Sequence, residues 1–334
     1  MPAHLKHIKF ESTPNIYLLV YDSYQDADML KKNYGIENFS HEQKLKDMGF
    51  RIQKDIYSIA GYSIGSMSKV LELGGSISSF NNLLLNNGYD RYYVFRDHYF
   101  TRNGFDFFNP TKILPNPISD NVPLDLLHSI AKGQLKAVEN NSTSSFSYNA
   151  YLKQKKKYLR IDSDSPRFFY SHTGPGHAQF SGKCLENEID LFSERLAKAN
   201  EEMLADINNI LEKDDDPLIL IMGDHGPYLK GDCQRLRRYG IAGITRELIE
   251  DRFSTFLAIK WPEKYVNTKG RDMEKIQDVI YELIFRLSKN AEINNYRLPL
   301  TASTVIKYGK CGALFRNGKI VCGKDANQSL RVRY

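Results

Sequence analysis

Five short, largely apolar runs recur along the chain, at 16–21, 91–95, 167–171, 217–222 and 254–259. Runs of this length with few polar interruptions predict strands buried on both faces, as in a parallel sheet covered by helices. Helical spacing fills much of the sequence between them. The longest predicted helix covers about 186–212, where Ile189, Phe192, Leu196, Ala199, Met203, Ile207 and Ile210 recur at three- and four-residue steps. That stripe reads as core packing. A second helix starts near Ser63, with Ile64, Met67, Val70 and Leu71 at helical spacing. Strands that alternate with helices predict βαβ units, and hence an α/β domain around a mostly parallel sheet.

The stretch from Lys132 to Ser165 departs from this pattern. Asn140-Asn-Ser-Thr-Ser-Ser predicts an exposed loop, and Tyr151-Leu-Lys-Gln-Lys-Lys-Lys-Tyr-Leu-Arg160 a basic helix. A charge run of this kind is usually a solvated face. Its functional alternative is contact with anionic lipid headgroups. Near the C-terminus, Asn317-Gly318 between short apolar pieces predicts a hairpin turn. The expected organisation is one catalytic domain over residues 1–305, with a hairpin and tail at 306–334 packed on it.

Composition leaves this picture intact. At 334 residues, 41% hydrophobic and 26% charged, the chain can bury a sizeable core. A formal net charge of +6 suits an acidic surface, but no nucleic-acid motif accompanies it, so nucleic acid is not an expected partner. No signal-peptide pattern and no apolar run approaching 18 residues is present. The four cysteines form two neighbouring pairs. Cys184 and Cys233 each follow a candidate site motif, and Cys311 and Cys322 bracket the predicted hairpin. The pairs suggest disulfides and an oxidising compartment, although four cysteines permit three connectivities. Either the chain is cytosolic with free thiols, or it is the soluble portion of a longer membrane protein.

Candidate chemistry sits where two of the strands end. The run Pro217-Leu-Ile-Leu-Ile-Met222 leads into Asp224-His225-Gly226, and Asn15-Ile-Tyr-Leu-Leu-Val-Tyr21 leads into Asp22-Ser23. Open α/β sheets bind ligands at the carboxyl ends of their strands. Asp and neutral His are ligands suited to Zn²⁺ or Mn²⁺. Ser63, at or near a helix N-cap, stands where backbone N–H groups and the helix dipole favour an anion.

Four segments then carry a resemblance. Pro14-Asn-Ile-Tyr-Leu-Leu-Val-Tyr-Asp22, Ser63-x-Gly-Ser66-x-x-x-Val-Leu71, Phe168-Phe-Tyr-Ser-His-Thr-Gly-Pro-Gly-His177 and Met222-Gly-Asp-His-Gly-Pro227 occur in this order. Together they resemble the sulfatase-like branch of the alkaline phosphatase superfamily, which includes lipoteichoic acid synthases and phosphoethanolamine transferases. A fifth segment, Asp251-Arg-Phe-Ser-Thr-Phe-Leu-Ala-Ile-Lys-Trp-Pro262, is similar to the strand that usually follows the second metal motif.

The resemblance implies a three-layer α/β/α sandwich with one divalent metal, Zn or Mn, and leaves a second metal open. It makes Asp22, Ser63, Asp224 and His225 the metal shell, Ser63 the nucleophile and His177 a substrate-phosphate donor or general acid, with His172 as competitor. Ser58 and Ser66 are the alternatives to Ser63. Arg96, Lys183 and Arg235 are further candidate substrate contacts. Ser63 is followed by neither the Pro nor the Arg of formylglycine sulfatases, so sulfate-ester hydrolysis is not expected. The implied activity moves a phospho-substituent, phosphoethanolamine or phosphoglycerol, from a phospholipid to a surface glycan or lipid. Hydrolysis by the same residues is the enzymatic rival, and a catalytically silent glycan- or partner-binding protein is the other. The implied setting is extracytoplasmic, in the periplasm or on the cell surface, against a membrane and behind N-terminal membrane helices.

Overall fold

The apolar runs form one seven-stranded sheet in a computed structural model. The structure describes residues 2–76, 78–95, 112–113, 143–176, 187–230, 245–271, 273–297, 315–316 and 319–320. The strands are β1 (Ile16–Tyr21), β2 (Arg51–Gln53), β3 (Asp90–Phe95), β4 (Lys112–Ile113), β5 (Arg167–Thr173), β6 (Leu218–Met222) and β7 (Leu257–Lys260). Their order is β2-β7-β6-β1-β5-β3-β4. The pairs from β6 to β4 are parallel, whereas β7 runs antiparallel to both β6 and β2.

Alternation along these strands divides the apolar residues between two cores. Ile16, Leu18 and Val20 of β1 join Leu218, Leu220 and Met222 of β6 on one face. Tyr17, Leu19 and Tyr21 join Ile219 and Ile221 on the other. The first face is covered by α3 (Ser63–Leu71) and α4 (Ser79–Asn86), through Met67, Val70, Phe80 and Leu83, and by Val279–Ser288, which supplies Val279 and Leu283. The second is covered by α1 (Ala27–Tyr34), α2 (Phe39–Asp47), α5 (Thr143–Leu159) and α6 (Glu188–Leu211). The three-layer α/β/α sandwich is therefore the observed architecture. A separate hairpin pairs Phe315–Arg316 with Lys319–Ile320 antiparallel, while the expected turn residues Asn317 and Gly318 lie outside the described residues.

Three expectations need correction. Ile189 is 41% exposed, so the buried stripe of α6 begins at Phe192. The loop predicted from Asn140 gives way to helix by Thr143, where Ser and Thr suit a helix start. Most consequential is Lys155, whose side chain is 1% exposed and sits within the supposed solvated run. Its Nζ lies 2.8 Å from Glu202 Oε1 and also pairs with Asp206. Tyr21 Oη donates to Asp206 at 2.7 Å and Tyr148 Oη to Glu202 at 2.5 Å. The cause is helical register. Tyr151, Lys155 and Leu159 share one face of α5 at four-residue steps, and Glu202 and Asp206 share the facing side of α6.

The exposed lysines 153, 156 and 157 remain on the outer side of α5. Contacts advance in step along both helices, from Tyr148–Glu202 to Arg160–Asn209, so α5 and α6 run parallel. The basic end of α5 thus lies with the end of α6 that leads into the start of β6. That is the sheet edge opposite the carboxyl ends of β1, β5 and β6.

Candidate active site

Strand register brings the distant motifs together. Val20 pairs with Met222 across β1 and β6, so Asp22 and Asp224 emerge side by side two residues later. Val20 also pairs with His172 on β5, which adds an imidazole at the same carboxyl edge. Gly223 permits the exit of β6, because a Cβ there would stand 2.0 Å from the Tyr24 carbonyl oxygen and 2.4 Å from Thr255 Oγ1. On the face that Val20 and Met222 join, α3 begins at Ser63, with Tyr62 rather than Ser63 as its N-cap. The Ser63 hydroxyl points at His225.

The atoms converge on His225 Nε2. Ser63 Oγ lies 3.3 Å away, Asp224 Oδ2 3.4 Å and Asp22 Oδ1 3.5 Å. Tetrahedral zinc with N and O ligands at about 2.0–2.2 Å requires ligand–ligand edges of about 3.3–3.6 Å. The imidazole is prepared for such a role. Nδ1–H donates to the Gly226 carbonyl at 2.9 Å, which turns Nε2 toward the oxygens, where it would ligate a cation once it carries no proton. Asp224 Oδ1 accepts from the backbone N–H groups of Ser23 and His225, each at 3.0 Å. Asp224 Oδ2 is buried with no hydrogen bond of good geometry. A buried carboxylate oxygen that meets only contacts as long as 3.4 Å is costly unless a cation completes it. Asp22, Asp224 and His225 therefore form a donor set suited to a divalent cation, their ligand atoms lying within 4.8 Å of one another.

Electrostatics keep Asp224 ionised. Burial alone would raise its carboxyl, but His225, His172 and the Ser63 hydroxyl outweigh burial and hold it well below the usual carboxylate range. His172 Nε2 stands 3.4 Å from Asp224 Oδ2, and Tyr170 Oη is 3.2 Å from His172 Nδ1. Ser58 and Ser66 are engaged elsewhere: their hydroxyls are 2.8 Å apart, and Gln277 Nε2 donates to both, at 3.3 and 3.2 Å. His177, Arg96, Lys183, Arg235 and the cysteines 184, 233, 311 and 322 lie outside the described residues.

Two contributors were not read from the sequence. Ser23 adopts a left-handed backbone, φ 62°, and its hydroxyl donates to Asp22 Oδ1 at 2.9 Å. Its position after a strand-end Asp was the available signal. Tyr228 stacks on His225, ring centroids 5.0 Å apart and planes within 8°. Three-residue separation across a Gly-Pro step gave no signal for that contact.

No protein-family model and no curated protein matches this sequence. Solved structures do match. The C-terminal periplasmic domain of EcEptC from Escherichia coli aligns with 94% of this chain and 96% of its own, at 13% identity and TM-score 0.54. The same domain in complex with Zn covers 84% of this chain and 85% of its own, at 12% identity and TM-score 0.52. The integral membrane lipooligosaccharide phosphoethanolamine transferase A of Neisseria meningitidis aligns over 86% of this chain but 56% of its own, at 9% identity and TM-score 0.50. The chain shares its fold with these proteins, the alkaline phosphatase-like architecture that the sequence resemblance implied.

Proposed function

We propose that this chain is a metal-dependent phosphotransferase that moves a phospho-substituent through a covalent intermediate on Ser63. The observation that carries the reading is the convergence of the Ser63 hydroxyl, two carboxylates and an imidazole at 3.3–3.5 Å on a helix N-terminus. Asp22, Asp224 and His225, with Ser63, would hold the cation. When bound, a divalent cation lowers the pKa of an adjacent hydroxyl and offsets charge on phosphoryl oxygens. The imidazole and carboxylate donors suit zinc and manganese, and the Zn complex of the similar domain supports zinc.

In the first displacement Ser63 Oγ forms a bond to phosphorus and gives up its proton, while the bond from phosphorus to the donor's alcohol breaks and that alcohol leaves protonated. In the second, an acceptor hydroxyl bonds to phosphorus, loses its proton and releases Ser63 with its hydroxyl restored. The N-terminus of α3, whose dipole is positive at that end, would favour the developing negative charge beside Ser63. His177 is the group assigned to protonate the leaving alcohol. The similarity to a phosphoethanolamine transferase supports phosphoethanolamine from a phospholipid as the moving group and a surface glycan or lipid as acceptor. We assign residues 1–305 to the catalytic domain. The setting is extracytoplasmic and next to a membrane, in keeping with the periplasmic domains it resembles.

The test is peptide mass spectrometry after the zinc-loaded chain meets a mixed phospholipid extract. A phosphoethanolamine or phosphoglycerol adduct on the Ser63 peptide, discharged by a glycan acceptor faster than by water, is the expected result. Discharge to water alone makes the chain a hydrolase. An adduct on Ser58 or Ser66 removes Ser63 from its role.

A further inference from the structure

Tyr228 stands against a residue that the proposed chemistry needs in one orientation. The hydrogen bond from His225 Nδ1 to Gly226 fixes one corner of the imidazole, but rotation about that bond would still swing Nε2 away from Asp22, Asp224 and Ser63. The parallel ring of Tyr228, 5.0 Å away, blocks that rotation. Tyr228 is itself held in place. Its backbone takes the left-handed conformation, φ 59°, which bulky residues seldom adopt. Its N–H donates to the Asp251 carbonyl at 3.2 Å, and Gly226 N–H donates to the Arg252 carbonyl at 3.0 Å. These bonds tie the loop carrying His225 to the end of the helix Arg246–Phe253.

Arg252 completes the arrangement. Its guanidinium carbon lies 4.6 Å from the centre of the Tyr228 ring, a cation–π distance. Its Nε is buried with no hydrogen-bond partner among the described residues, and its guanidinium carbon also lies 6.0 Å from the centre of the Phe253 ring. The pair also reaches the loop that leads into Ser63. A Cβ on Gly61 would stand 2.4 Å from Arg252 Nε and 3.0 Å from Tyr228 Oη. Tyr228 and Arg252 therefore sit between the loop that presents His225 and the loop that presents Ser63.

We propose that Tyr228, backed by Arg252, is a positioning residue that locks the His225 imidazole plane and thereby sets the affinity of the cation site. The proposal rests on the metal reading above. Partners that orient metal-ligating histidines typically contribute about 10–100-fold to metal affinity. The test is titration of the chelator-stripped chain with Zn²⁺ in competition with a chromophoric chelator, with thermal melts as a check on folding. Tyr228→Leu removes the stack and is expected to weaken Zn²⁺ by at least about tenfold. Tyr228→Phe keeps the ring and is expected to stay within about threefold of wild type. Arg252→Gln, which leaves the ring but removes its cation, falls between the two and serves if Tyr228→Leu does not fold. If Asp224→Asn abolishes Zn²⁺ binding while Tyr228→Leu and Arg252→Gln bind like wild type, the positioning role is overturned and the metal site stands. If wild type holds no Zn²⁺ that Asp224→Asn loses, the metal reading itself fails and takes this role with it.

Discussion

Replacing Lys155 by Met is the sharpest probe of the buried polar cluster between α5 and α6. Lys155 is the cation facing Glu202 and Asp206, and all three side chains are at least nine-tenths buried. The Met side chain fills similar volume, so packing changes little and the electrostatic consequence dominates. Breaking a buried ion pair by removing one partner typically costs about 3–5 kcal/mol, because the remaining charge is left uncompensated. Here two carboxylates lose their cation. Burial already raises Asp206 to about 6, against the opposing pull of Lys155. Without Lys155 its pKa rises further.

A carboxyl whose folded pKa is raised contributes stability that is present at low pH and lost as pH climbs through that pKa. The deficit of Lys155→Met should therefore be largest near pH 8. It should shrink toward pH 6 by about 1.4 kcal/mol per unit for each carboxylate that keeps its proton only in the variant. Urea denaturation of both proteins at pH 6 and pH 8 measures this. A Lys155→Met stability within about 0.5 kcal/mol of wild type at both pH values is the behaviour of a solvated surface lysine and would refute the argument.

Gly223→Ala forces a Cβ against the Tyr24 carbonyl, which cannot yield as a side chain would; we expect a loss of about 2–4 kcal/mol in urea melts together with weaker Zn²⁺ binding, and unchanged stability would count against the described exit of β6. His41, buried beside Met203, has its pKa lowered by burial and by Lys44 from 6.5 to about 4. The unfolded chain binds the extra proton between those values, so this residue removes up to about 3 kcal/mol as pH falls from 6.5 to 4, and His41→Gln should flatten the stability–pH curve in that window. A variant curve as steep as wild type there would remove His41 from the acid response. Asp224→Asn should abolish tight Zn²⁺ binding with the fold retained, as read by chelator competition and circular dichroism.

The strand ends were legible because burial and chemistry use different residue types. Ile16–Tyr21 and Leu218–Met222 announce themselves by unbroken apolarity, so Asp22 and Asp224-His225 stand out as polar residues placed immediately after. The three-residue β2 and two-residue β4 gave no comparable run to read. Lys155 was misread because the local charge density of 151–160 masked a four-residue stripe of Tyr151, Lys155 and Leu159, and its acidic partners lie on another helix. The roles of Ser63 against Ser58 and Ser66 depend on which way each hydroxyl turns, a property of α3's packing against Gln277 that residue order does not carry. Tyr228 was hidden for a related reason. Its stack depends on a left-handed backbone at a bulky residue, which sequence propensity argues against.

The most direct test of the central claim is anomalous diffraction at the zinc edge from crystals of the chain grown with Zn²⁺. The account predicts a single strong peak about 2.0–2.2 Å from Asp22, Asp224, His225 Nε2 and Ser63 Oγ. A peak held by other residues, or none at this cluster in crystals that carry zinc elsewhere, would contradict it.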